Sequence, residues 1–95
     1  MGLFSNLVAK AYGKVLEGDY KGAKISAKWE TDNYFYINPL IGKMLKITHD
    51  DIDSYEIQTS NAFGDTNVKV FFKDGKKSLI QFSKEGMDIF NRTTF

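Results

Sequence analysis

The spacing of apolar positions along the chain switches between two periods. At the N-terminus Leu3, Phe4, Leu7, Val8, Ala11, Tyr12 and Val15 recur three and four apart, the stripe of an amphipathic helix. Lys10 and Lys14 lie on its polar side. Gly13 weakens the interior by ~1 kcal/mol relative to alanine, and Gly18 offers a left-handed cap. The pattern predicts a helix over residues 3–16, within an N-terminal unit of residues 1–18. From residue 23 the period falls to two. Ile25, Ala27 and Trp29 alternate with Lys24, Ser26, Lys28 and Glu30, which predicts a strand over 23–30 with one wet face. A turn at 31–33 leads to a short aromatic strand over 34–38. Asn38-Pro39 opens a loop that closes at Gly42, a third strand covers 44–48, and Asp50-Asp51 breaks the pattern. Alternation resumes over 53–59, with Tyr55 and Ile57 on one face, and a polar loop spans 60–66.

The clearest signal is the stretch NVKVFFKDGKKSLIQF, residues 67–82. Asp74-Gly75 between alternating apolar segments predicts a β-hairpin. A three-residue connection sets Val68 opposite Ile80 and Val70 opposite Ser78, keeping apolar residues on one face. A two-residue loop would mix the faces. The expected turn is therefore type I, with Gly75 in the left-handed region forming a bulge, and Gly75→Val is expected to be costly. Ser83 then caps a short helix over 84–92, with Met87 and Phe90 inward and Gly86 limiting its stability. The expected architecture is one α+β domain: an N-terminal helix, about six strands over residues 23–83 and a short C-terminal helix. Connections this short force antiparallel neighbours, and the aromatic content suits a sheet curved into a small open barrel.

Composition narrows the function classes. Ninety-five residues make a single domain, and 42% hydrophobic residues supply a modest core. A formal net charge of +1 gives no global attraction to nucleic acid or anionic membranes. The absence of cysteine removes disulfides, thiolate nucleophiles and cysteine-ligated metal, and fits a reducing, cytoplasmic setting. No basic-then-apolar leader and no run of ~18 apolar residues is visible. No nucleophile elbow, phosphate-binding glycine loop or metal-ligand spacing occurs. The expectation is a protein without enzymatic activity, cofactor or metal.

Three stretches carry a resemblance: Gly2-Leu3-Phe4 running into Leu16-Glu17-Gly18-Asp19-Tyr20-Lys21-Gly22; ITHDDIDSYEI over 47–57; and VFFKDGKKSLIQFS over 70–83. Through them the chain resembles small proteins of Gram-positive bacteria and their phages that contain a pleckstrin-homology-like, GRAM-related domain. The resemblance implies an open barrel of antiparallel strands and an interaction or scaffold module with no catalytic residues to transfer. Such relatives often carry a Gly/Ala-rich apolar insertion before the last hairpin; here that region is only residues 60–66.

Candidate sites fall into separate groups. Trp29, Tyr34 and Tyr36 concentrate aromatic surface in one hairpin, suited to stacking the bases of a single-stranded nucleic acid or to anchoring a protein partner. Alternation separates Tyr34 and Tyr36 from Phe35. Lys73, Lys76 and Lys77 crowd the last hairpin, with Lys69 and Lys84 near, a pattern for phosphates of lipid head groups or nucleic acid. Asp74 dilutes that charge, and the single arginine, Arg92, lies elsewhere. His49-Asp50-Asp51 places the single histidine beside acids, but neighbouring residues of a turn point apart and supply no ligand set. The N-terminal helix is expected to pack on its own sheet or on a second copy, its charge being too low for a membrane anchor. The leading expectation is a protein–protein interaction module, with homo-oligomer contacts through the helix; lipid-head-group and nucleic-acid binding are the alternatives.

Overall fold

The structure is a computed structural model and describes residues 12–95. Seven antiparallel strands form one sheet, followed by one C-terminal helix. The strands are β1 (Gly13–Gly18), β2 (Lys24–Ser26), β3 (Phe35–Asn38), β4 (Leu45–Ile47), β5 (Ile52–Ser60), β6 (Thr66–Phe72) and β7 (Lys77–Phe82); the helix is α1 (Lys84–Thr94). The spatial order is β4-β3-β2-β1-β7-β6-β5, and the sheet curls into a half-barrel. A 3₁₀ turn at His49–Asp51 links the two outermost strands. It is pinned by the Asp51 carboxylate, which accepts from the Thr48 N–H at 2.8 Å and the Thr48 hydroxyl at 3.1 Å.

The Asp-Gly hairpin has the expected register, Val68 opposite Ile80, Val70 opposite Ser78 and Phe71 opposite Lys77. Gly75 has φ +93°. The bonds Gly75 N–H to Phe72 O (3.0 Å) and Phe72 N–H to Lys76 O (2.8 Å) close the turn and resume the ladder. Those two bonds leave a three-residue connection with glycine at its left-handed position.

The N-terminal expectation needs correction where it is described. Residues 3–11 of the expected helix lie outside the described residues, and its last turn is instead β1, an interior strand paired with β2 and β7. The additional strand raises the expected six to seven. The helical reading arose because β1 hides its alternation. Its inward position 13 is a glycine, where a side chain would collide with Gln81 and Phe82. A bulge between Val15 and Glu17 then shifts Leu16 out of phase. Val15 alone shows as a buried apolar position of β1, and two open ladders on either side override local periodicity. Likewise β2 ends at Ser26, short of the expected residue 30. Trp29 N–H bonds the Asp32 carboxylate (2.8 Å), and Asp32 N–H bonds Trp29 O (3.1 Å), folding the rest into a loop.

Inward side chains fill the half-barrel in rows. Val15, Ile80 and Val68 face one another across β1, β7 and β6 and are buried, and Ile57 on β5 continues their row half exposed. Helix α1 plugs the open side. Ser83 caps it, its hydroxyl accepting from Gly86 N–H at 3.1 Å. Phe90, fully buried, has its ring 4.8 Å from Phe82, 6.1 Å from Phe35 and 5.0 Å from Tyr55. The helix runs two residues past the expected position 92, and the Thr93 and Thr94 hydroxyls bond back to the Ile89 and Phe90 carbonyls.

Candidate functional site

Antiparallel topology sorts the connections between the two ends of the half-barrel. The β1–β2, β3–β4 and β6–β7 connections share one end. Contacts tie them together: Asp19 N–H bonds Lys77 O at 3.0 Å, and the Asp19 carboxylate accepts from Lys77 N–H at 2.9 Å. The Tyr20 ring meets Phe72 edge-on at 5.7 Å, closing that end of the core. Leu40 approaches the β1–β2 turn so closely that a Cβ at Gly22 would lie 2.8 Å from its Cδ1. Lys73 N–H bonds Asp51 O at 2.9 Å, bringing the 3₁₀ turn to the same end.

The candidate lysines Lys73, Lys76 and Lys77 therefore sit among three loops. Lys76 Nζ lies 4.0 Å from the Asp74 carboxylate and 5.7 Å from the Tyr20 ring centre. Beside them stand residues that the sequence reading passed over. Leu40 is 80% exposed and Ile41 91%, with Met44 also exposed and Lys21 and Lys43 alongside. Between the β1–β2 and β3–β4 loops runs an open groove of about 360 Å³, lined by Asp19, Tyr20, Lys21, Pro39, Leu40 and Ile41. The sequence carried only part of the signal: adjacent bulky aliphatics inside a loop bounded by Pro39 and Gly42, whose exposure the curl of the sheet decides. Large apolar residues gathered in the open mark contact surfaces.

The aromatic candidates lie elsewhere. Tyr36 is on the convex face of β3, opposite Lys46 on β4 and Ser26 on β2. Tyr34, just before β3, packs edge-on against Tyr36 at 5.7 Å, with Lys46 Nζ 4.3 Å from its ring centre. The Tyr34 phenol is pushed above its ordinary value of 10.0, first by desolvation and then by Asp32 and Tyr36. Phe35 faces the core, as alternation requires. Trp29, 64% exposed, stands in the β2–β3 loop, and among the described residues no ring contact joins it to either tyrosine. A second row on the convex face sets Lys24 directly opposite both Lys14 and Asn38, with Gln81 beyond Lys14.

The His49 group is taken up by the fold. His49 Nδ1 lies 3.2 Å from the Thr93 carbonyl oxygen, to which it donates, while Asp51 is bound to Thr48. Among the described residues no group of His, Asp and Glu is placed to hold a metal, and no helix is long and apolar enough to cross a membrane. Comparison of the chain with known protein families, characterised proteins and solved structures returns no match.

Proposed function

We propose that the chain is a non-enzymatic binding module that attaches peripherally to a membrane surface through the loop end of its half-barrel. The observation that carries this reading is the Leu40–Ile41 pair, largely exposed in the β3–β4 loop, with Lys43 two residues on and Lys21 in the adjoining groove. In water this pair is an apolar liability. In a bilayer each side chain contributes up to ~1.5–3 kcal/mol on burial. Lys21 lines the groove beside the pair, Lys43 follows it by two residues, and Lys73, Lys76 and Lys77 belong to the β6–β7 hairpin at the same end of the half-barrel; a lysine near an anionic surface contributes ~1 kcal/mol. The half-barrel order of strands with a C-terminal helix as its plug is compatible with the pleckstrin-homology-like resemblance, which belongs to this proposal.

Co-sedimentation with lipid vesicles tests it. Wild-type protein is expected to pellet with vesicles of phosphatidylcholine and phosphatidylglycerol, and Leu40→Ser with Ile41→Ser to remain in the supernatant. Failure to pellet with any vesicle would sink the membrane reading and leave a protein partner as the occupant of the same patch.

One observation favours a second reading. Tyr36, Lys46, Lys24 and Lys14 share the convex face, a set suited to single-stranded nucleic acid. It ranks second because the rings are already engaged: Tyr34 and Tyr36 pack on each other and Lys46 covers Tyr34. Fluorescence anisotropy of a labelled oligonucleotide checks it. Binding that weakens with salt and is lost in Lys14→Gln with Lys24→Gln would put this reading first.

A further inference from the structure

Resting on the membrane reading above, we infer that the loop end recognises bilayers through apolar insertion and diffuse charge, without selecting a particular phosphorylated head group. Selection of a phosphorylated sugar head group needs converging cations in a concave site and, best of all, the bidentate fork of arginine. The groove beside Leu40 has a single lysine, Lys21, and no arginine in its lining. Its wall includes the Asp19 carboxylate, held in place by the Lys77 N–H at 2.9 Å, so a phosphate entering there meets a fixed negative charge.

The lysines are spread over separate loops. Lys21 and Lys43 come from different loops, and Lys76 leans toward Asp74 at 4.0 Å. Asp50 and Asp51 sit on the 3₁₀ turn joined to Lys73. These acids offset much of the lysine charge and leave a weak, spread-out positive field. The single arginine is committed elsewhere, its guanidinium donating to the Glu30 and Asp32 carbonyls near the helix C-terminus. Against this weak electrostatic term stand the two most accessible aliphatic side chains of the loop, 80% and 91% exposed, preceded by the stiff residue Pro39. Shallow apolar insertion responds to lipid packing and curvature, whereas lysines act as point charges that any anionic lipid satisfies.

The experiment compares vesicles of phosphatidylcholine mixed with phosphatidylglycerol or with phosphatidylinositol bisphosphate, at matched total charge, in small and large diameters. Soluble inositol trisphosphate serves as competitor. The expected result is apparent affinity within about threefold for the two anionic lipids, as charge density alone dictates. Tighter binding to the smaller vesicles and no displacement by the soluble head group are also expected. Leu40→Ser with Ile41→Ser should cost more than Lys73→Gln with Lys76→Gln. Near-ultraviolet circular dichroism verifies that each variant is folded. Binding confined to the bisphosphate vesicles, displacement by inositol trisphosphate, or a greater loss from the lysine pair would overturn the inference while leaving membrane attachment intact. No binding to any vesicle would overturn both.

Discussion

At the scale of single residues, the β6–β7 hairpin separates conformational strain from steric clash. Gly75 has φ +93°, yet nothing lies within 4 Å of where its Cβ would be. Gly75→Ala is therefore expected to cost about 1–2 kcal/mol through backbone conformation alone, read as a lower urea midpoint with an unchanged slope. Ser78 presents the opposite case. It is 1% exposed and its hydroxyl has no hydrogen-bond partner. A buried unsatisfied hydroxyl costs about 1–3 kcal/mol, so Ser78→Ala is expected to raise the melting temperature, and a fall would mean that the hydroxyl is satisfied. Both residues sit in the most legible part of the sequence. Register followed from keeping Val68, Val70 and Ile80 on one face, and the Asp-Gly turn agreed with it. The unpartnered Ser78 was visible as the one polar residue in that apolar row, though its isolation depends on neighbours from β1 that the pattern did not reveal.

At the scale of elements, the helix and the strand β1 explain what the sequence concealed. Gly86 reads as a weakness in a helix, and on an exposed helix Gly→Ala would stabilise by ~1 kcal/mol. Here Gly86 is the point where α1 touches the residue that leads into β1, and a methyl group would overlap the Tyr12 carbonyl. That carbonyl also accepts from the Ser83 N–H at 2.9 Å and from the Ser83 hydroxyl at 3.2 Å. Gly86→Ala should therefore reverse sign and destabilise by on the order of 2 kcal/mol, measurable by chemical denaturation. The β1 error has the same root. A strand whose inward position is glycine and whose alternation is broken by a bulge cannot be told from a helix by periodicity. Only the unpaired edges of β2 and β7 identify it. At its other end α1 holds the β2–β3 loop through Arg92, whose fork reaches the Glu30 and Asp32 carbonyls together. Arg92→Lys keeps the charge and loses the fork. The expected outcome is faster proteolysis within the Trp29 loop with little change in global stability, and equal proteolysis would show that Asp32 alone holds the loop.

At the scale of the whole molecule, stability and proposed function occupy opposite ends of one gradient. Strand β7 lies between β1 and β6 with Ile80 and Phe82 fully buried, and it carries the helix plug through Phe82 and Phe90. Strand β4, by contrast, is a three-residue edge with only Ile47 buried, and it follows the loop that exposes Leu40 and Ile41. Local opening follows such differences in buried contact. Amides of β6 and β7 should exchange only by global unfolding, whereas those of Leu45–Ile47 should exchange by local opening. The candidate loop was hard to weigh from sequence because exposure of Leu40 and Ile41 depends on how the sheet curls. A different curl would have buried both. If that loop is the attachment point, vesicles should slow exchange over residues 39–47 and leave the β6 and β7 amides unchanged. A membrane contact restrains the least stable edge but cannot raise protection already set by global unfolding. Protection appearing instead across Lys14, Lys24 and Tyr36 would transfer the contact to the convex face.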